Sequence, residues 1–285
     1  MGRLLTRRGF LAAGVASAGA ALGVRHTTRV EPGDLQVTRT PVRIPRLAAG
    51  PPVRILHLSD LHVSPVVPFD LIARAVDLGL AAAPDLAVLT GDFWSLRPED
   101  VAPLIGILRR LSHAVPCLAC AGNHDGGSWV APEGGYPDLG PLREMLERSG
   151  TRLLWNECVT LRAGARWIEF AGLGDLWARE CAPETAFAGL GPPGDAPRIV
   201  LSHNPDSKEL LSDFDWDLML CGHTHGGQFV IPGLGWRPFA PVRDRRYVEG
   251  LRGWMGRQVF VTRGVGNLHG MRFNCPPEVS VLEVG

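Results

Sequence analysis

Lysine is all but missing from this chain of 285 residues: Lys208 stands alone, and arginine supplies the rest of the basic side chains. The skew reads as a bias of genome composition and carries no functional content. Net charge is missing as well, since 29 basic residues face 29 acidic ones. A chain without a basic surplus offers no surface to a polyanion, so nucleic acid is not an expected partner, and no block of like charge marks an interaction tail. Internal repeats are absent. No apolar run reaches the ~20 residues of a comfortable membrane span. These absences leave a chain of a length that fits one large α/β domain with ample core.

Against that background, chemistry-bearing residues fall into five short segments: Asp60-Leu61-His62, Gly91-Asp92, Gly122-Asn123-His124-Asp125, Ser202-His203-Asn204 and Gly222-His223-Thr224-His225. Five of the nine histidines lie in them. Each segment follows an apolar run: Val53 to Ser59, Asp85 to Thr90, Val115 to Ala121, Arg198 to Leu201 and Asp217 to Cys221. Such runs predict buried strands, and in open α/β sheets the chemistry gathers beyond the carboxyl ends of strands. A mixed set of imidazoles and carboxylates suits divalent cations. Two cations about 3.5–4 Å apart need an anionic ligand between them, and a carboxylate bridges with two oxygens. Asp92 is the natural bridge.

The order and wording of the five segments resembles the calcineurin-like metallophosphoesterases over roughly residues 53–284. The resemblance implies a four-layer α/β/β/α sandwich, two mixed β-sheets face to face with helices outside, and a dimetal site at one edge. It implies that Asp60, His62, Asp92 and His225 hold one metal, and that Asp92, Asn123, His203 and His223 hold the other. Mn, Fe or Zn would each suit the set. The expected reaction is phosphoester hydrolysis by a hydroxide bridging the two metals, with His124 protonating the leaving oxygen. A catalytically silent metal-binding envelope protein is the competing reading. An intact His124 argues for the enzyme, because a scaffold needs no general acid.

The amino terminus carries a second signal. Thr6-Arg7-Arg8-Gly9-Phe10-Leu11 precedes an apolar stretch from Ala12 to Val24, and the pair resembles a twin-arginine export leader. Residues 1–26 are therefore expected to be a signal or membrane anchor, 27–52 a linker with an edge element, and 53–285 the catalytic domain. The expected location is the periplasm or the outer face of the cytoplasmic membrane, reached through the twin-arginine machinery, which carries folded cargo.

Helical periodicity predicts helices over residues 69–83, 98–114 and 141–149, and their alternation with the first strands predicts a parallel half-sheet of βαβ units. The stretches 153–161, 167–171, 259–262 and 279–284 are expected to form the second sheet. Cys117-Leu118-Ala119-Cys120 is a C-x-x-C inside a predicted strand, where residues three apart face opposite sides, so Cys117, Cys120 and Cys221 are expected to be buried hydrophobes. Cys158, Cys181 and Cys275 are candidates for a disulfide in an oxidising compartment, but sequence does not pair them. His57 is expected in the core, and His269 follows Gly264-Val265-Gly266-Asn267, a loop that either lines the pocket or merely turns, turning being the favoured reading.

For substrate class the informative segment is residues 229–247, where Phe229, Trp236 and Phe239 mix with Arg237, Arg243, Arg245 and Arg246. Apolar and basic groups together would receive a lipid-linked phosphoester or lie on an anionic membrane surface. A surface loop packed on the core is the alternative. The carboxy-terminal part resembles a bacterial phosphodiesterase branch of the family, some members of which hydrolyse UDP-2,3-diacylglucosamine. Export argues against that narrower activity, whose substrate is cytoplasmic.

Overall fold

A computed structural model describes residues 22–47 and 50–285. Arg7, Arg8 and most of the apolar stretch after them lie outside the described residues. No helix among the described residues is long and apolar enough to cross a membrane.

Among the described residues, twelve strands form two six-stranded sheets. In chain order they are β1 (Gln36–Val42), β2 (Val53–Leu58), β3 (Leu86–Thr90), β4 (Cys117–Cys120), β5 (Arg152–Leu153), β6 (Glu157–Ala163), β7 (Arg166–Gly172), β8 (Arg198–Leu201), β9 (Leu218–Cys221), β10 (Gly250–Trp254), β11 (Arg257–Val261) and β12 (Glu278–Val284). The first sheet runs β1-β12-β2-β3-β4-β5 and the second β10-β11-β9-β8-β7-β6. Within the first, β2 through β5 are parallel and β12 is antiparallel to β2. Within the second, β11, β9, β8 and β7 are parallel and the outer pairs are hairpins.

Three helices cover the outer face of the first sheet: α1 (Phe69–Ala81), α2 (Ala102–Ala114) and α3 (Gly140–Ser149). In α1, Leu71, Ile72, Ala75, Val76 and Gly79 are buried, a single stripe at helical spacing. Gly79 is where α1 comes down on the sheet, for a Cβ there would strike the Leu56 side chain at 2.5 Å. Helix α2 starts later than its periodicity predicts, at Ala102; residues 98–101 form the approach, in which the Asp100 carboxylate accepts the Ala102 amide at 2.8 Å. A second core lies between the sheets. The outer face of the second sheet has a thinner cover, in which the short α4 (Pro183–Phe187) and the turn Pro205–Leu211 pack around Trp216 and Tyr247. The expected sandwich of two mixed sheets flanked by helices is what the chain forms.

Two expectations about strands need correction. The stretch 153–161 is not one strand: the chain leaves β5 after Leu153 and enters β6 at Glu157, so its halves belong to different sheets. Asn156 makes that crossing, its side-chain oxygen accepting from the Gly174 and Ala182 amides at 2.9 Å. The stretch 279–284 is β12, and it lies in the first sheet between β1 and β2. Its near-total burial, with residues on both faces in the core, is what a central strand requires.

Cys117 packs in the outer core and Cys120 in the core between the sheets, on opposite faces of β4. Burial pushes the Cys117 thiol up to about 12 and raises the Cys120 thiol well above its ordinary value, so neither is a reactive thiolate. All six cysteines are free, Cys158, Cys181 and Cys275 among them. His57 is fully buried with Nε2 on the Thr90 hydroxyl at 2.8 Å, and burial lowers its pKa to about 3.

Candidate metal centre

The carboxyl ends of β2, β3, β4, β8 and β9 reach one edge of the sandwich, and all five polar segments follow them there. Their backbones are unusual. Asp60, His62, Asp92, His223 and His225 all have positive φ, between 48° and 69°. An L-residue in that region costs roughly 1–2 kcal/mol. The reversal of the backbone at alternate residues is what turns the side chains of Asp60 and His62, and of His223 and His225, inward to one place.

Glycine lets the turns meet. A Cβ at Gly222 would collide with the Ser59 hydroxyl and the Asp60 carboxylate, and one at Gly122 with the Asp92 carboxylate and amide. The first residues of G-N-H-D and G-H-x-H are therefore points of backbone contact between ligand loops.

Two trios of potential ligands result, Asp60 with His62 and His225, and Asp60 with Asp92 and His203, the ligand atoms of each lying within 4.8 Å of one another. The Asp92 Oδ2 is 3.3 Å from His62 Nε2 and 3.1 Å from His203 Nε2, which places it between the two groups. Asp60 Oδ1 is 3.3 Å from His225 Nε2, and both Asp60 oxygens accept the His223 amide, at 3.0 and 3.1 Å. Asp60 thus reaches both clusters, where the resemblance assigned it to one. His223 Nδ1 faces His203 Nε2 at 3.2 Å, and Asn123 is buried in the same wall.

Several features show that cations fit here. The Thr90 carbonyl accepts from His203 Nδ1 at 2.7 Å, so the Nε2 of a neutral ring points a bare lone pair at the Asp92 carboxylate. Two such electron-rich atoms in contact need a cation between them, a proton or a metal. His62 Nε2 and His225 Nε2 lie 3.1 Å apart, so the two rings present nitrogens to one point. The Asn123 Oδ1 is buried and has no hydrogen-bond partner, a cost that ligation would remove. Burial and the neighbouring imidazoles hold His223 and His225 well below the usual histidine range, so both are neutral and ready to ligate. In the metal-free protein a proton takes the place of the cation: the Asp92 and Asp60 carboxylates hold His203 well above the histidine range against its burial, and burial would raise Asp92 but His203 and His124 more than offset this and hold it well below the carboxylate range.

The supporting shell was not assigned from the sequence. Asp125 accepts the amides of Asp92 and Gly122 on Oδ2, both at 2.8 Å, and that of Phe93 on Oδ1 at 2.7 Å, tying the second and third ligand loops together. Burial, with the Asp92 charge adding to it, pushes Asp125 up to about 8, and the backbone donors oppose the push. Ser95 serves two rings, its hydroxyl on His62 Nδ1 at 3.1 Å and its carbonyl on His124 Nδ1 at 3.0 Å. The signal for Asp125 lay in the quoted motif; for Ser95 no local signal exists.

A cleft of about 410 Å³ opens on Asp92, Asn123, His124, His223 and His225, and its outer wall is apolar, with Trp177, Phe229, Phe239, Pro241, Leu268 and Met271. His269 lines this wall, so the loop after Gly264 is part of the cleft and not merely a turn. The segment 229–247 likewise contributes Phe229, Phe239 and Pro241. Trp177 stands edge-on to His223, ring centroids 4.2 Å apart.

Comparison with known proteins agrees with this geometry. The model of the calcineurin-like phosphoesterase family matches residues 53–227. The chain is 40% identical to phosphodiesterase YaeI of Escherichia coli over 282 residues, 99% of this chain and 100% of that one. It is 29% identical to UDP-2,3-diacylglucosamine pyrophosphatase LpxG of Chlamydia muridarum, covering 89% and 90% of the two chains, and 29% identical to the metallophosphoesterase YkuE of Bacillus subtilis, covering 96% and 93%.

Proposed function

The chain belongs to the calcineurin-like phosphoesterases, and from that premise we propose a phosphodiesterase that is exported and hydrolyses a lipid-linked phosphoester at the cell envelope. Metal-dependent hydrolysis comes with the family; the finer reading rests on this chain's own residues. The observation that carries it is the convergence of two ligand trios on one cleft beside His124, with an apolar wall opposite.

In this reading Asp60, His62, Asp92 and His225 would hold one divalent cation, and Asp92, Asn123, His203 and His223 would hold the second; Asp60 belongs to both ligand trios. Bound there, the pair would supply Lewis acidity and a water acidified to near neutrality. His124 does the proton work. Its Nδ1 is committed to the Ser95 carbonyl, which fixes the ring and leaves Nε2 to face the cleft. A protonated Nε2 gives its proton to the leaving oxygen as the P–O bond breaks. The His124 amide also donates to Asp92 Oδ1 at 2.9 Å, so general acid and central carboxylate keep a fixed relation. Trp177 and the apolar wall line the outer side of the same cleft.

Export is supported by the Arg7-Arg8 pair and the apolar stretch after it. A lipid-linked substrate is supported by the apolar wall and by the similarity to a relative named for a diacylated nucleotide sugar. The test is metal analysis of the purified chain together with hydrolysis of monoesters, diesters and glycerophosphodiesters. Two metals per chain and preference for diesters are expected. Asp92→Asn should lose at least one metal and turnover; two metals and near-normal turnover in that variant would refute the site.

A further inference from the structure

The apolar wall of the cleft does not end at its rim. Phe229 and Met271 line both the cleft and a second groove of about 610 Å³ beside it, whose other lining residues include Ile231 and Phe273 and, from the amino-terminal segment, Val24 and Thr28. Among the described residues, no charged one lines the groove. Its two threonines donate their hydroxyl protons backward, Thr27 to the Gly23 carbonyl at 2.9 Å and Thr28 to the Val24 carbonyl at 2.8 Å.

The groove is also braced. Val230 donates to the Phe273 carbonyl at 2.9 Å and Phe273 to the Gln228 carbonyl at 2.8 Å, and the Arg272 amide fastens the wall to the Thr27 carbonyl at 2.9 Å. A peptide needs main-chain hydrogen bonds along such a channel, and its lining side chains supply few. An alkyl chain needs none.

We propose that this groove is an acyl-chain subsite, which receives one hydrocarbon chain of the substrate while the phosphoester lies over the ligand cluster. The proposal rests on the phosphodiesterase reading for its biological meaning, but the groove is tested separately from turnover. The shared wall points to the occupant: a ligand held through its phosphate at the metal side meets Phe229 and Met271 with its next carbons, and those two side chains also line the groove. Chain length then becomes a specificity determinant.

Calorimetric titration with n-alkylphosphonates, butyl to decyl and below their aggregation concentrations, measures this without any bond being broken. Affinity should rise with each methylene, by up to about fourfold where burial is complete. Thr28→Trp, which fills the groove from the amino-terminal segment, and Ile231→Glu, which charges it, should flatten that rise and leave butylphosphonate affinity within about twofold. A flat series in the unmodified chain overturns the proposal. So does a steep series unchanged in both variants, since the chain would then lie elsewhere. A series that becomes steep only after removal of residues 1–21 overturns it too, by showing that the chain's own apolar segment fills the groove. A steep, groove-dependent series in a protein that hydrolyses no diester would keep the subsite and reject the phosphodiesterase reading.

Discussion

Asp125 offers the sharpest test of how the centre is built, because the residue is never itself assigned to a metal. Its carboxylate accepts three buried backbone N–H groups at 2.7–2.8 Å, two from the second ligand loop and one from the third. Hydrogen bonds to a charged acceptor contribute about 1.5–3 kcal/mol each, and a buried donor left without a partner costs about 1–3 kcal/mol. Asp125→Ala strands all three donors; with partial relief by entering water we expect a loss of about 4–6 kcal/mol. Asp125→Asn is more informative. Its amide oxygen can take the place of Oδ2 and keep the Asp92 and Gly122 bonds in weaker, neutral form, but its NH₂ then points at the Phe93 N–H. A loss of about 2–4 kcal/mol follows, equivalent to a midpoint drop of roughly 5–15 °C for a domain of this size. Thermal and denaturant unfolding of metal-loaded protein measure it, since cationic neighbours favour the ionised form. Metal content should also fall, because Asp92 loses the support of its left-handed backbone. An Asn variant within about 1 kcal/mol of the parent, with both metals retained, would show that the three N–H bonds do not organise the site.

Three further outcomes are expected. His124→Gln should keep both metals and lower turnover by about 10²–10⁴-fold on substrates with alkoxide leaving groups, and much less on nitrophenolate esters; equal slowing of both would make His124 an electrostatic anchor. Burial raises the Asp175 carboxyl from 3.8 to about 6, so in metal-free protein its contribution is fully present below the unfolded value and is lost as pH rises through the folded one. Asp175→Asn should therefore gain up to about 3 kcal/mol on the parent above pH 7 and little near pH 4, and a pH-independent difference in urea midpoints would refute the assignment. Changing Arg7 and Arg8 to Lys should leave an active protein in the cytoplasm, because the export receptor reads the guanidinium pair; cell fractionation decides.

How much of this was legible follows from the range of the interactions. β2, β3, β4, β8 and β9 were readable because strands buried on both faces are continuous apolar runs, and the polar residues after them mark the carboxyl edge. The sheet to which β12 belongs was not readable, since pairing with β2 joins Leu282 to Ile55 across most of the chain and leaves no local trace. The same holds for the break at Asn156, whose partners lie 18 and 26 residues ahead. At the site, side chains that converge on one point announced themselves by type and order. Ser95 acts partly through its carbonyl, a group every residue has, and His269 reaches the cleft only through the path of its loop.

The left-handed ligand residues have a consequence for the history of such a protein. Glycine adopts positive φ without penalty, so at Asp60, His62, Asp92, His223 and His225 loss of the side chain is also release of the backbone. His223→Gly should thus be more stable than His223→Ala, by about 1 kcal/mol. A lineage freed from the need to catalyse would find these five codons among the easiest to change with a gain in stability. Asp and His at these five positions, where the backbone alone would favour glycine, are what a requirement for metal-binding side chains leaves in a single sequence.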